Sequence, residues 1–342
     1  MVASKLLTAG LLFIRASLES PIGLTPIQRA SGCGEKPDVS LNKRTNVTLA
    51  SGRTYLFWVP PNYNPQKETP LIFSFHGASR TPDSQADLDL LTTPFFNRDH
   101  IVVYPSSGEY GEKKGRYWQG APQVPPEVDD VAYVLEILEA LESRLCLDTA
   151  RVYATGKSQG GLMTNNLACD ARSTARIAAF APVSGSYYVN VTGSACTPLT
   201  LESVCRPERQ RIPMLLFHGG NDSTIPYAGG PRSGECLPSI PHFAAAWAAR
   251  DGLGDAPGFV GRLHRARDNA TVYRYGSGRD EGLVRFVYSG DHVDHQWPAT
   301  IPNSDSVAHG TAPATFNASG LIVDFFRRYT FEGRRFGGAL HG

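Results

Sequence analysis

Apolar residues along this chain come in short unbroken runs, and between the runs they return at helical spacing. Pro70-Leu71-Ile72-Phe73-Ser74-Phe75 and Ile101-Val102-Val103-Tyr104 lack the polar alternation of a half-exposed strand, so they read as strands buried on both faces. Arg151 to Ala154, Ile177 to Val183, Pro213 to His218 and a last strand, Leu283 to Tyr288, have the same character. Arg53 to Val59 is an extended, aromatic-rich run stopped by Pro60-Pro61. In contrast, Val131, Val134, Leu135, Ile137, Leu138 and Leu141 fall at steps of three and four, predicting an amphipathic helix from Val131 to about Arg144. Asp129-Asp130 supply its N-cap and first-turn acid. Leu162 to Ala168, Ile240 to Arg250 and Ala318 to Tyr329 read as further helices. Strands separated by crossover helices imply a mainly parallel sheet covered on both faces, an α/β fold. No linker divides the chain, so residues 30–332 are expected to form one domain. Residues 185–212 and 223–239 read as insertions on one rim.

Composition narrows the class. A formal net charge of +1 over 342 residues carries no electrostatic footprint for nucleic acid. No apolar run approaches the roughly 20 residues of a membrane span, so no membrane partner is expected. Lys5 followed by the apolar run Leu6 to Ile14 reads as a secretory signal peptide over residues 1–18, although Arg15 ends the run early and no A-x-A cleavage site follows. Six cysteines, none in a C-x-x-C spacing, favour disulfides over a zinc site. Six cysteines allow 15 connectivities, which sequence does not separate; the short loop suggests Cys196–Cys205, with Cys146–Cys169 and Cys33–Cys236 as the accompanying pairs. Five N-x-S/T sequons begin at Asn46, Asn190, Asn221, Asn269 and Asn317, out of only 12 asparagines. That excess supports an extracellular glycoprotein, with Asn46, Asn190, Asn269 and Asn317 as the expected acceptors.

The chemistry starts at Gly156-Lys157-Ser158-Gln159-Gly160, a G-x-S-x-G turn between a predicted strand and a predicted helix. In that setting the pattern is a nucleophile elbow, which holds the serine in a strained turn with its hydroxyl exposed. Ligands of open parallel sheets bind beyond the carboxyl ends of the strands, so a real elbow predicts polar chemistry after other strands too. His218-Gly219-Gly220-Asn221-Asp222 follows one strand, Asp291-His292-Val293-Asp294-His295-Gln296-Trp297-Pro298 follows another, and His76-Gly77-Ala78 a third. A serine hydroxyl needs an imidazole to take its proton, and the imidazole needs a carboxylate to fix its tautomer. Asp222 is the candidate acid. His295 and His292 both fit as base, and spacing does not separate them; the stiff Trp297-Pro298 segment favours His295. The backbone N–H groups of Gln159 and Ala78 are the candidate oxyanion donors, and His76 and His218 are expected to hydrogen-bond their own loops.

Taken together, these residues resemble the fungal type C feruloyl esterases, within the wider group of secreted carbohydrate esterases and polyester depolymerase-like proteins. The resemblance runs through Ser31 to Gly34, Pro70 to Gly77, Tyr117 to Gly120, Asp129 to Val131 and Leu145 to Asp148. It continues through Arg151 to Gly161, Leu167 to Asp170, Phe217 to Gly219 with Asp222, Gly234 to Pro241, and His295 to Pro298, covering about residues 30 to 330. It implies an α/β-hydrolase fold, Ser158, Asp222 and His295 as nucleophile, acid and base, and no metal or organic cofactor. The implied substrate is a hydroxycinnamoyl ester, such as ferulate, on arabinoxylan or pectin. An acetylxylan esterase or a hydroxybutyrate depolymerase on the same fold is the alternative. An aromatic acyl group calls for a flat apolar slot, for which Trp118, Tyr187, Tyr227 and Trp297 are candidates.

Overall fold

The computed structural model of the protein describes residues 30–202, 205, 207–263 and 269–331. The signal peptide expected over residues 1–18 and residue 332, the expected domain end, lie outside the described residues. In chain order the strands are β1 (Arg44–Thr48), β2 (Thr54–Trp58), β3 (Thr69–Phe75), β4 (Ile101–Pro105), β5 (Gly108–Tyr110), β6 (Gly115–Tyr117), β7 (Leu147–Lys157), β8 (Ala179–Val183), β9 (Met214–His218), β10 (Gly230–Arg232), β11 (Glu235–Leu237), β12 (Phe259–Arg262), β13 (Thr271–Arg274) and β14 (Val284–Tyr288). The helices are α1 (Pro82–Asp89), α2 (Asp130–Glu142), α3 (Gln159–Cys169), α4 (Ala171–Thr174), α5 (Ile240–Arg250), α6 (Ser304–His309) and α7 (Ala318–Phe326).

Ten strands form one sheet in the order β1-β2-β4-β3-β7-β8-β9-β14-β13-β12. The middle six, from β4 to β14, run parallel, and two antiparallel strands flank them on each side. Every residue of β3, β4, β8 and β9 is buried, as unbroken apolar runs require in a sheet covered on both sides. The pleat divides them between two cores. Leu71, Phe73 and Phe75 face one, beneath Val134, Ile137 and Leu141 of α2 and Phe243 and Trp247 of α5. Ile72, Val102, Tyr104 and Tyr153 face the other, with Ile322 and Phe326 of α7. This is the α/β-hydrolase arrangement.

Asp129 caps α2 by accepting from Ala132 N at 2.9 Å, as its sequence position implies. Asp130 does more than favour the helix dipole. It is fully buried, paired with Arg53 at 2.6 Å and accepting from Gln119 N at 2.7 Å, so it ties the β2 edge to the loop before α2.

The disulfides correct the sequence expectation in all three pairs. Cys33 joins Cys146, Cys169 joins Cys205, and Cys196 joins Cys236, in place of Cys33–Cys236, Cys146–Cys169 and Cys196–Cys205. The cause is tertiary. The start of the described chain lies along the end of α2, with Gly32 N donating to Glu142 O at 2.9 Å, and this brings the Cα atoms of Cys33 and Cys146 to 4.0 Å. Val189 and Cys236 exchange backbone hydrogen bonds at 2.9 and 3.0 Å, and Ser239 N donates to Pro198 O. These contacts carry Cys236 to Cys196 and override the nine-residue loop that sequence favoured.

Candidate active site

The carboxyl ends of β3, β7, β9 and β14 open on one side of the sheet, and each carries one part of the site. Ser158 stands at the turn from β7 into α3 with φ 59° and ψ −118°, a left-handed backbone that a side chain rarely adopts. Its N–H donates to Val183 O at 2.9 Å and its C=O accepts from Leu162 N at 3.1 Å, so both neighbours hold the turn. The elbow also needs α3 pressed against β3. A Cβ on Gly160 would lie 2.0 Å from Phe75 O, so only glycine permits this approach.

Asp222 follows β9. Its Oδ1 accepts from Thr224 N at 3.0 Å and Ile225 N at 2.6 Å. Its Oδ2 accepts from His295 Nδ1 at 2.8 Å and lies 3.2 Å from His218 Nε2. His218 Nε2 is also 2.8 Å from Ile225 O, which only accepts, so this nitrogen carries the proton and is shared between the two oxygens. His218 thus reaches the acid itself and not only its loop. Burial would raise the Asp222 carboxyl, but the His295 charge and the hydrogen bonds from His218 and His295 outweigh it and hold Asp222 well below the usual carboxylate range. His295 is pushed down to about 4, first by burial and then by the Lys157 ammonium, against the opposing pull of Asp222. His295, and not His292, is the ring on Asp222.

The acid and base loops are laced together. Asn221 N donates to Val293 O at 3.1 Å, and a Cβ on Gly219 would fall 2.1 Å from that same oxygen. Asp294 Oδ1 accepts from His295 N at 2.6 Å, Ser223 N at 2.7 Å and Ser223 Oγ at 2.9 Å. One carboxylate therefore grips the backbone of His295 and of the residue next to Asp222.

The third part is the loop after β3. A Cβ on Gly77 would sit 3.4 Å from Ser158 Cβ, so this loop lies directly against the serine. His76 Nδ1 is 2.8 Å from Gly77 O, and its Nε2 accepts from Ser107 N at 3.2 Å. Nδ1 must therefore donate to Gly77 O. In a trans peptide the N–H points opposite to the C=O, so this bond turns Ala78 N–H away from the imidazole. Burial holds His76 near 4, which keeps that tautomer neutral. Ala78 and Gln159 N–H make no hydrogen bond among the described residues.

Ser158, His295, Gly77 and Ala78 line one cleft of about 340 Å³, with Lys157, Thr224, Asp305 and His309. No Phe, Tyr or Trp is among the described residues lining it. This corrects the expectation of an aromatic slot built from the four candidates. Trp118 is fully buried under the β3 loop, its Nε1 donating to His76 O at 2.8 Å and its ring edge-on to Phe75. Trp297 is fully buried, its Nε1 donating to Ser319 Oγ at 3.0 Å. Tyr187 stacks on Phe243 and lines a separate apolar cavity of about 160 Å³. Tyr227 packs against Phe286 and Tyr288. Rings of this size gain so much from burial that loops beside a core draw them inward.

Sequence reasoning left Lys157, Asp305 and His309 without roles. Lys157, beside Ser158, pairs with Asp305 at 3.3 Å in a buried setting, and burial lowers its ammonium despite that partner. Asp305 lies on α6, a helix with too little apolar periodicity to be read from sequence. Of the expected glycan acceptors, Asn46 and Asn190 are exposed and Asn317 is half-buried. The side-chain nitrogen of Asn269 donates to Asp291.

No protein-family model matches the chain. It is 30% identical over 214 residues to feruloyl esterase C of Emericella nidulans, covering 60% of this chain and 67% of that one. It is 27% identical over 215 residues to a probable feruloyl esterase C of Aspergillus niger, covering 60% and 68%. It is 30% identical over 179 residues to a bifunctional acetylxylan esterase/xylanase of Neocallimastix patriciarum, covering 52% of this chain and 22% of the other. Among solved structures, an acetyl xylan esterase from Aspergillus awamori superposes with a TM-score of 0.51 at 19% identity, covering 78% of this chain and 98% of that chain, which speaks to the fold.

Proposed function

The chain belongs to the feruloyl esterase C family and is a carboxylic ester hydrolase, and from that premise we propose that it cleaves hydroxycinnamoyl esters of plant cell-wall polysaccharide through an acyl-enzyme on Ser158. The observation that carries the reading is the 2.8 Å contact between His295 Nδ1 and a buried Asp222 carboxylate, on the cleft that Ser158 also lines. With Nδ1–H committed to Asp222, His295 Nε2 is the acceptor for the Ser158 proton. Ser158 Oγ attacks the ester carbon as that proton moves to Nε2. The negative charge that develops on the carbonyl oxygen is met by Gln159 and Ala78 N–H, each such donor being worth on the order of 10²–10³ in rate. Collapse expels the alcohol, which takes the proton back from Nε2. Water, deprotonated by the same nitrogen, then releases the acid and regenerates Ser158 Oγ–H.

The protein is read as exported, with residues 1–18 as the signal and residues 30–332 as the catalytic domain, and its three disulfides support an oxidising compartment. Its partner is then feruloylated arabinoxylan or pectin, or oligosaccharides of these. One observation favours a second reading: a cleft with no Phe, Tyr or Trp among the described residues lining it suits a small acyl group, as an acetylxylan esterase requires. Turnover of methyl ferulate, 4-nitrophenyl acetate and a hydroxybutyrate oligomer separates these. Good turnover of the acetate with none of methyl ferulate transfers the assignment to the second reading.

A further inference from the structure

The cleft beside His295 contains a second Asp–His pair that the chemistry above does not use. His309 ends α6 and lines the cleft, with about a quarter of its side chain exposed. Its Nδ1 is 3.6 Å from Asp294 Oδ2. Its ring stands edge-on to His295, with centroids 6.2 Å apart. Asp294 is itself fixed, because its Oδ1 grips His295 N and Ser223 while Oδ2 accepts from Ser223 Oγ at 3.1 Å. His309 is therefore attached to the same strap that joins the base loop to the acid loop.

Chemistry places the leaving group on this side. His295 must return its proton to the departing oxygen, so that oxygen lies within hydrogen-bond reach of its ring. Whatever the oxygen carries extends over the cleft wall next to His295. His309, Thr224, Ser304 and Asp305 are among the residues that line the cleft with His295. His309 Nδ1 is the ring nitrogen nearer Asp294, at 3.6 Å, beyond hydrogen-bond length, and an imidazole nitrogen on the cleft side can hydrogen-bond a hydroxyl group. An imidazole beside the leaving oxygen suits an alcohol that carries further hydroxyl groups.

We propose that His309, beside Asp294 and His295 on the cleft, forms a leaving-group subsite that hydrogen-bonds a hydroxyl of a sugar alcohol while the ester is cleaved. The inference rests on the reading of Ser158 and His295 as the ester-cleaving pair. It does not depend on which acyl group they transfer. His309 is a specificity residue here.

The test uses esters that share an acyl group and differ in the alcohol: feruloyl arabinose against methyl ferulate, and acetylated xylobiose against 4-nitrophenyl acetate. Each ratio of kcat/KM is measured for the full chain and for His309→Leu and His309→Gln. Within a pair the acyl group cancels, so an enzyme that proves to prefer acetate still reports on His309. Loss of both members of a pair in the unmodified protein sinks the ester-hydrolase reading instead. The expected result is that His309→Leu lowers the sugar-to-simple ester ratio about tenfold, the loss of one hydrogen bond. His309→Gln, which keeps a hydrogen-bonding group, is expected to recover most of it. A ratio unchanged in His309→Leu overturns the proposal. So does an equal loss on both esters, because His309 would then act through His295 and not on the alcohol.

Discussion

Asp222→Asn is close to isosteric, and its consequence follows from a count of donors. The carboxylate meets four: Thr224 N and Ile225 N on Oδ1, and His295 Nδ1 and His218 Nε2 on Oδ2. An asparagine has one accepting oxygen and an NH₂ that accepts nothing. If the NH₂ faces Thr224 and Ile225, two backbone donors lose their partner, at about 1–3 kcal/mol for the buried Ile225 N–H and less for the part-buried Thr224 N–H. If it faces the imidazoles, His295 escapes the clash by moving its proton from Nδ1 to Nε2, and His218 Nε2–H keeps Ile225 O as its acceptor. That shift costs far less, so the second orientation wins. It also puts a proton on the nitrogen that must accept one from Ser158. The expected loss in kcat is on the order of 10⁴, about 5.4 kcal/mol of barrier, with the fold retained. The assay is kcat on methyl ferulate and 4-nitrophenyl acetate near neutral pH, with circular dichroism and thermal melting as checks on folding. A folded variant within tenfold of the unmodified enzyme refutes the reasoning, since Asp222 would then not set the tautomer of His295.

Other consequences follow from the same geometry. The acid limb of kcat/KM is expected near pH 4, because His295 works as a base only while unprotonated and its pKa is pushed down to about 4; activity is lost as pH falls through that value, and a limb at the ordinary 6.5 contradicts it. Lys157→Met removes the second cause of that depression, so the limb is expected to move to higher pH in the same titration. Gly160→Ala is expected to destabilise by on the order of 1–3 kcal/mol, because its Cβ has nowhere to go between α3 and Phe75 O; helix propensity alone predicts stabilisation of up to about 1 kcal/mol, so the sign of the melting shift decides. Replacing Cys33 and Cys146 together by serine frees a 113-residue span, for which chain entropy predicts a loss of about 5 kcal/mol, against about 4 for the 36-residue span of Cys169 and Cys205. Urea unfolding ranks the two, and equal stability of both variants with the unmodified protein contradicts the pairing.

The parallel core was legible because each buried strand is a self-contained apolar run: β3, β4, β9 and β14 begin and end within one or two residues of their expected limits. The edge strands β12 and β13 were not, since half-exposed residues such as Phe259 and Arg274 give them no consistent period. Asp222 and His295 could be selected because strand order confines polar loops to one end of the sheet, and that topological rule operates at long range. Spacing alone did not separate His295 from His292; the stiff Trp297-Pro298 segment favoured His295, and the fold places that ring on Asp222, with its backbone held by Asp294. Cysteine pairing failed for the opposite reason: it depends on which loops meet, and the contact of Val189 with Cys236 has no local signature. The aromatic candidates failed because a tryptophan on a loop looks the same in sequence whether it faces a cleft or, as Trp118 and Trp297 do, plugs the core beneath it.

The central claim is that Ser158 takes the acyl group. Acid quenching of the enzyme in the first turnovers of 4-nitrophenyl acetate and of methyl ferulate, followed by peptide mass analysis, reads this directly. The account predicts that the acyl group appears on the peptide and residue of Ser158, that it turns over, and that Ser158→Ala carries no adduct while kcat falls by on the order of 10⁴–10⁶. An acyl group on another residue, or a Ser158→Ala variant that keeps the unmodified rate, contradicts it.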